Sequence, residues 1–62
     1  MHPEKLLIKE KELAAMLSVS WRHVQNLRKM RLIPHVRLGR VVRYRVQDVE
    51  KALERLTIRA IT

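Results

Sequence analysis

The sequence contains no cysteine. That removes disulfides and thiolate–zinc staples, and it suits a reducing, intracellular setting without requiring one. Glycine occurs once, at Gly39, so there is no Gly-rich loop to cradle a phosphate. No apolar run approaches the ~18 residues of a membrane span, and no signal-peptide pattern opens the chain. The expectation is a soluble protein of the cytoplasm with no membrane partner. Length is also scarce. The 62 residues allow one domain over 1–62, and a chain this small buries only ~60% of the surface its unfolded form exposes. The core must come from a few well-placed Leu, Val, Ile and Met side chains.

The most informative absence is of negative charge. Between Glu12 and Asp48 there is no acid, while Arg22, Arg28, Lys29, Arg31, Arg37, Arg40, Arg43 and Arg45 all fall there. The remaining basic and acidic residues cancel, so the net charge of +8 resides in the middle of the chain. A field of one sign repels itself and destabilises a compact fold unless a polyanion is its partner. Arginine dominates the set, and its planar guanidinium suits bidentate phosphate and guanine contacts. A solvated face kept for solubility is the plainer explanation, but solubility does not require excluding acids so completely from one segment.

Residues Met1 to Lys5 read as a loose arm, followed by the short apolar run Leu6-Leu7-Ile8. Over 9–17, apolar Leu13, Ala14, Met16 and Leu17 recur on one side of a helical wheel. Glu10 and Glu12 in the first turn suit the helix dipole. The helix stops at Ser18-Val19-Ser20, and Ser20 is placed to cap a second helix through its hydroxyl. That helix is expected over 20–30. Val24 and Leu27 point one way, with Trp21 at the margin. Arg22, Gln25, Asn26 and Lys29 share the opposite stripe, and His23 sits beside it. Such a face carries the side chains that read base edges, Arg for guanine and Gln or Asn for adenine. Two short helices joined by a three-residue turn make a helix-turn-helix.

Pro34 ends the helical region. Two β-prone runs within 35–44 flank Gly39-Arg40, as a type II′ hairpin needs. Alternation is expected to send Val36, Leu38 and Val42 towards the core or the partner strand, leaving Arg37, Arg40 and Arg43 exposed. A hairpin tipped with arginine is a wing. A last helix is expected over 47–56 with Asp48 as its cap, and Val49, Ala52, Leu53 and Leu56 form its packing stripe. Residues 57–62 form a tail in which Ile58 and Ile61 are either frayed or adhesive. The fold class is therefore mainly α with a small β-hairpin, a winged helix-turn-helix of three helices and a two-stranded wing.

Chemistry-bearing constellations are missing. His2, His23 and His35 fall on separate elements with no acid at ligand spacing, and no Ser, His and acid suggest a nucleophile. The expectation is a protein that is not an enzyme and uses no metal or cofactor. Trp21 has two readings, an aromatic that closes the junction of turn and helix or a contact to the DNA backbone or a thymine methyl. Tyr44 is read as packing at the wing base, against a hydroxyl held near a phosphate. Arg37, Arg40 and Arg43 serve as phosphate anchors at least as readily as base readers, since phosphate contacts outnumber base contacts.

Glu12-Leu13-Ala14 with Leu17, Val19-Ser20, Val24 with Leu27, Ile33-Pro34, Val36-Arg37-Leu38-Gly39-Arg40, Val42-Arg43-Tyr44 and Asp48-Val49-Glu50 follow in an order and spacing that resembles the excisionase-like helix-turn-helix proteins, relatives of MerR-type winged-helix domains. The resemblance covers Leu6 to Leu56. It implies that the second helix enters the major groove and the wing reaches phosphates or the adjacent minor groove. It also implies a role in which small proteins, as side-by-side copies, bend attachment-site DNA of a phage or mobile element and help a tyrosine integrase to excise. Other members of the family regulate transcription. Three positions depart from the pattern. Lys9 stands where a Thr cap is common, and Ser18 and Arg31 stand where Gly is common. Because 62 residues leave little beyond the DNA-binding unit, the excisionase role is expected ahead of a small transcriptional regulator. Duplex DNA, a tyrosine integrase and further copies of the chain are the expected partners. The residues expected to meet DNA are Ser20, Trp21, Arg22, His23, Gln25, Asn26 and Lys29 on the helix, with Arg37, Arg40 and Arg43 on the wing.

Overall fold

A computed structural model describes residues 6–58 and residue 60. The expected arm at 1–5 and the tail residue Ile61 lie outside them. The elements follow in the order α1 (Glu10–Leu17), α2 (Trp21–Lys29), β1 (Val36–Leu38), β2 (Val41–Arg43) and α3 (Val46–Leu56). This is the mainly helical, three-helix fold with one antiparallel hairpin that a winged helix-turn-helix requires.

Local chemistry explains where each helix begins. At the start of α1, Lys9 has no oxygen to offer the first-turn amides. Glu12 instead accepts the Lys9 backbone N–H at 3.0 Å, which is the half of a capping box that Lys9 leaves possible. α2 starts as expected, with the Ser20 hydroxyl accepting the His23 N–H at 3.1 Å. α3 starts one residue earlier than expected, and Asp48 is not its cap. Arg45 holds the cap position, and Asp48, three residues on, receives the Arg45 guanidinium at 3.1 Å.

α1 and α2 end alike. Ser18 turns left-handed at φ 59° and Arg31 at φ 60°. Ser18 N–H donates to the Ala15 carbonyl at 3.2 Å and Val19 N–H to Ala14 at 3.0 Å; Arg31 N–H donates to Arg28 and Leu32 N–H to Leu27, both at 2.9 Å. Each pair is a Schellman turn, which satisfies carbonyls that the helix end would leave bare. Glycine is favoured at the left-handed position because its lack of Cβ removes the clash, so the two departures from the family pattern fall where the backbone makes a side chain costly.

The hairpin pairs Val36 with Arg43, Arg37 with Val42 and Leu38 with Val41. Gly39 takes φ 64°, whereas Arg40 is not left-handed, as a II′ turn demands. Cross-strand partners share a face. Val36, Leu38, Val41 and Arg43 therefore lie on one side of the ribbon, and Arg37 and Val42 on the other. Val42 packs against the core, while Leu38 is exposed. The expected grouping of Val36 and Leu38 with Val42 is overturned, because a two-residue turn between 38 and 41 places them on opposite faces. Beyond β2, Ile8 and Tyr44 exchange two backbone hydrogen bonds at 2.9 Å each, so the apolar run before α1 adds a short bridge to the wing base.

The core comprises Ile8, Leu13, Ala14, Val24, Ile33, Tyr44, Val49 and Ala52, with Leu17, Leu27, Val42, Val46 and Leu53 packed around it. Every element except β1 contributes. Among the described residues methionine does not: Met16, expected on the α1 packing stripe, is 60% exposed. Leu56, at the last position of the α3 stripe, is also exposed. Among the described residues, no helix is long and apolar enough to cross a membrane.

Candidate nucleic-acid interface

α2 separates its two faces sharply. Val24 is fully buried and Leu27 packs against the core, which turns the opposite stripe outwards. Arg22, His23, Asn26 and Lys29 are exposed, and Gln25 is half-buried. Ser20 accepts the His23 N–H at its hydroxyl oxygen, which fixes where α2 begins and leaves the exposed O–H as a donor. Trp21 is 42% exposed, and the Arg22 guanidinium lies over its ring at 5.6 Å from the centroid. Cation–π attraction of this kind orients a side chain that would otherwise sweep through solvent. Trp21 is thus neither a core residue nor a free one; it supports Arg22.

The wing places its arginines unevenly. Arg37 and Arg40 are exposed. Arg43 is half-buried and donates from Nη1 to the Val42 carbonyl at 2.9 Å. Arg40 occupies the turn beside Gly39, whose open surroundings hold nothing within 4 Å of an added Cβ.

Not all of the basic stretch belongs to this surface. Among the described residues, ion pairs join Arg28 to Glu10 and Arg45 to Asp48. Arg28 lies four residues after Val24, on the core side of α2, and its side chain is only 15% exposed. Its Nε donates to the Tyr44 hydroxyl at 3.1 Å and lies 3.4 Å from the Glu10 carboxylate. Tyr44 donates its hydroxyl proton to Glu10 at 2.8 Å. The three side chains tie the first turn of α1, the second half of α2 and the end of the wing to one another. Burial disfavours the phenolate, and the adjacent Glu10 acceptor adds to that. The Tyr44 hydroxyl is pushed up from 10.0 to about 12 despite the opposing effect of Arg28. The packing reading of Tyr44 is the observed one.

The Glu10–Tyr44–Arg28 cluster was not foreseen from the sequence. Its signal was present in the spacing of Arg28 from Val24, which puts a cation on a core face and so demands a buried partner. Which acid answers it depends on how α1 crosses α2. Once Arg28 and Arg45 are set aside, Arg22, Lys29, Arg31, Arg37, Arg40 and Arg43 remain without an ion-pair partner among the described residues.

A concavity of about 600 Å³, open to solvent, lies between the segment following α2 and α3, lined in part by Arg31, Ile33, His35, Lys51 and Arg55. Among the described residues, no group of three or more His, Asp or Glu side chains is placed to hold a metal ion.

A capped second helix with an outward polar face, a short turn before it and an arginine-bearing hairpin after it define a helix-turn-helix protein with a wing. The chain belongs to the helix-turn-helix domain family, whose model matches residues 7–57; this is a family of DNA-binding domains that includes excisionase-like proteins. No curated protein and no solved structure matches the chain. DNA binding is thus the activity that family membership carries.

Proposed function

We propose that the chain is an excisionase-type architectural protein without enzymatic activity of its own. In this reading it binds duplex attachment-site DNA of a phage or mobile element, in the cytoplasm of the bacterial host, and assists a tyrosine integrase. α2 lies in the major groove with Arg22, Gln25, Asn26 and Lys29 facing base edges and His23 alongside. Trp21 holds Arg22 in position from the helix N-terminus. Arg37, Arg40 and Arg43 take phosphates flanking the adjacent minor groove. The observation that carries the reading is the division of α2. Val24 is wholly buried, the opposite stripe carries exposed Arg22, Asn26 and Lys29 with half-buried Gln25, and the hairpin that follows exposes Arg37 and Arg40.

The excisionase role, as against DNA binding in general, rests on the run of motifs from Glu12-Leu13-Ala14 to Asp48-Val49-Glu50. A single domain of this size makes a small footprint, and copies on successive repeats would supply the missing affinity through effective concentration. A small transcriptional regulator is the second reading, favoured by Ile58, which is 95% exposed and open to a two-fold contact.

Capture of fragmented host and mobile-element DNA by the purified protein, followed by sequencing, separates the two. Closely spaced direct repeats beside an integrase attachment site are expected. A lone inverted repeat overlapping a promoter sinks the excisionase role and leaves the regulator.

A further inference from the structure

Leu38 and Val41 are direct cross-strand partners at the last pair before the wing turn. Both are exposed, at 53% and 39%. They lie on the ribbon face opposite Val42, the wing residue that packs on the core. A hairpin kept only for phosphate contact has no use for a large apolar pair at its tip, and exposed apolar strand surface invites unwanted pairing.

The surrounding charge identifies the partner. Arg40 adjoins the pair in the turn, Arg43 shares its face and Arg37 stands on the other side of the same ribbon. None of the three has an ion-pair partner among the described residues. A second copy docking here would set arginine against arginine. A minor groove instead offers apolar deoxyribose walls between two rows of phosphates. Its width in B-form DNA is ~6 Å, and two strands ~4.8 Å apart with side chains are broader than that. The tip enters only where the groove opens.

We infer that Leu38 and Val41 form an apolar wedge that presses into the minor groove, partly unstacks one base step and kinks the duplex. This rests on the reading that the chain binds duplex DNA through α2 and the wing. Opening a step is easiest at flexible pyrimidine–purine steps and hardest in stiff A-tracts. The wing therefore imposes a sequence preference at a step whose base edges it does not read.

The test uses the full chain and a duplex that it selects from a randomised pool, with the wing located by minor-groove protection. One copy of the duplex carries 2-aminopurine at the step beneath the wing, and another carries dyes at its ends. Binding is expected to raise the 2-aminopurine fluorescence and bring the ends closer together. The double variant Leu38→Ser, Val41→Ser is expected to bind within roughly tenfold of the parent, about the cost of one mismatched position, while losing both signals. A variant that binds with bend and fluorescence unchanged overturns the wedge. So does a variant whose loss is of self-association in sedimentation, with the bend retained. Should the double variant fail to fold, the parent protein decides the matter alone. Replacing the step with an A-tract is expected to weaken its binding by roughly tenfold, and equal affinity for the two duplexes overturns the proposal. Retention of no duplex from the pool is a separate failure, that of the DNA-binding reading.

Discussion

The Tyr44 hydroxyl donates to the Glu10 carboxylate at 2.8 Å across a sequence separation of 34 residues. That contact joins the start of the first helix to the end of the wing, and Arg28 of α2 reaches the same oxygen. α2 and the end of the wing are thereby held to one part-buried point.

This clamp makes stability depend on pH at the alkaline end. Burial, with the Glu10 acceptor adding to it, pushes the Tyr44 hydroxyl up from its ordinary 10.0 to about 12. The folded state holds the phenolic proton more tightly, so the contribution is complete below the lower value and is lost as pH rises through the upper one. Urea unfolding is expected to show a steep loss of stability across that window, and Tyr44→Phe is expected to flatten it. The chain has one tyrosine, so its phenolate absorbance reports the group directly. A midpoint near 10 in the folded protein contradicts the clamp.

The left-handed turns offer the opposite kind of test. Ser18 at φ 59° and Arg31 at φ 60° each bear a Cβ where glycine would avoid the clash. Ser18→Gly is expected to stabilise the fold by about 1 kcal/mol, the lower end of the left-handed penalty, visible as a raised Tm. Arg31→Gly is expected to do the same while weakening DNA binding by removing an unpaired cation. Lower Tm values for both variants indicate that the loss of unfolded-chain restraint exceeds the relief of strain.

Base reading is tested on the exposed stripe of α2. Arg22→Ala and Asn26→Ala are expected to cost ~1–3 kcal/mol each on the preferred site and to relax specificity at one base position. Trp21→Ala is expected to act in the same direction as Arg22→Ala, because the ring orients that guanidinium from 5.6 Å. Selection from a random pool, repeated with each variant, gives the answer. An unchanged preferred sequence for both Arg22→Ala and Asn26→Ala removes α2 from the role of reader.

Arg40 and Arg28 separate phosphate binding from structural charge. Each phosphate neutralised contributes ~0.9 to the slope of log K against log salt. Arg40→Ala is expected to weaken binding to all sequences and lower that slope by about one unit. Arg28→Ala is expected to leave the slope alone and destabilise the fold by about 1–3 kcal/mol, since it strips a charged partner from a part-buried hydrogen-bonded group. Salt titrations of binding and urea unfolding of both variants distinguish these outcomes. Binding to duplex DNA that is insensitive to salt in the parent protein contradicts phosphate neutralisation by the wing.

Most of the element order was legible because its signals are local. The Ser20 cap, the one-sided spacing of Val24 and Leu27, and Gly39 between two β-prone runs each act within a few residues. Boundaries slipped where a cap was misassigned, as at Asp48, which binds Arg45 from inside α3. The wing faces were not legible. Alternation says that neighbours diverge, but the turn register decides which strand residues share a face, and Leu38 emerged outside. Arg28 looked like one more cation of the basic stretch until α1 supplied Glu10.

By itself, the sequence determined the helix-turn-helix with its hairpin, the polar stripe on α2 and a central segment without acids, because periodicity, capping and composition need no knowledge of distant contacts. Tertiary structure alone decided which cations stay free and which are consumed inside the fold. It also decided that Trp21 supports Arg22 at the surface and that Leu38 and Val41 crown the wing. Those outcomes depend on how elements far apart in the chain meet, and burial is a property of that meeting.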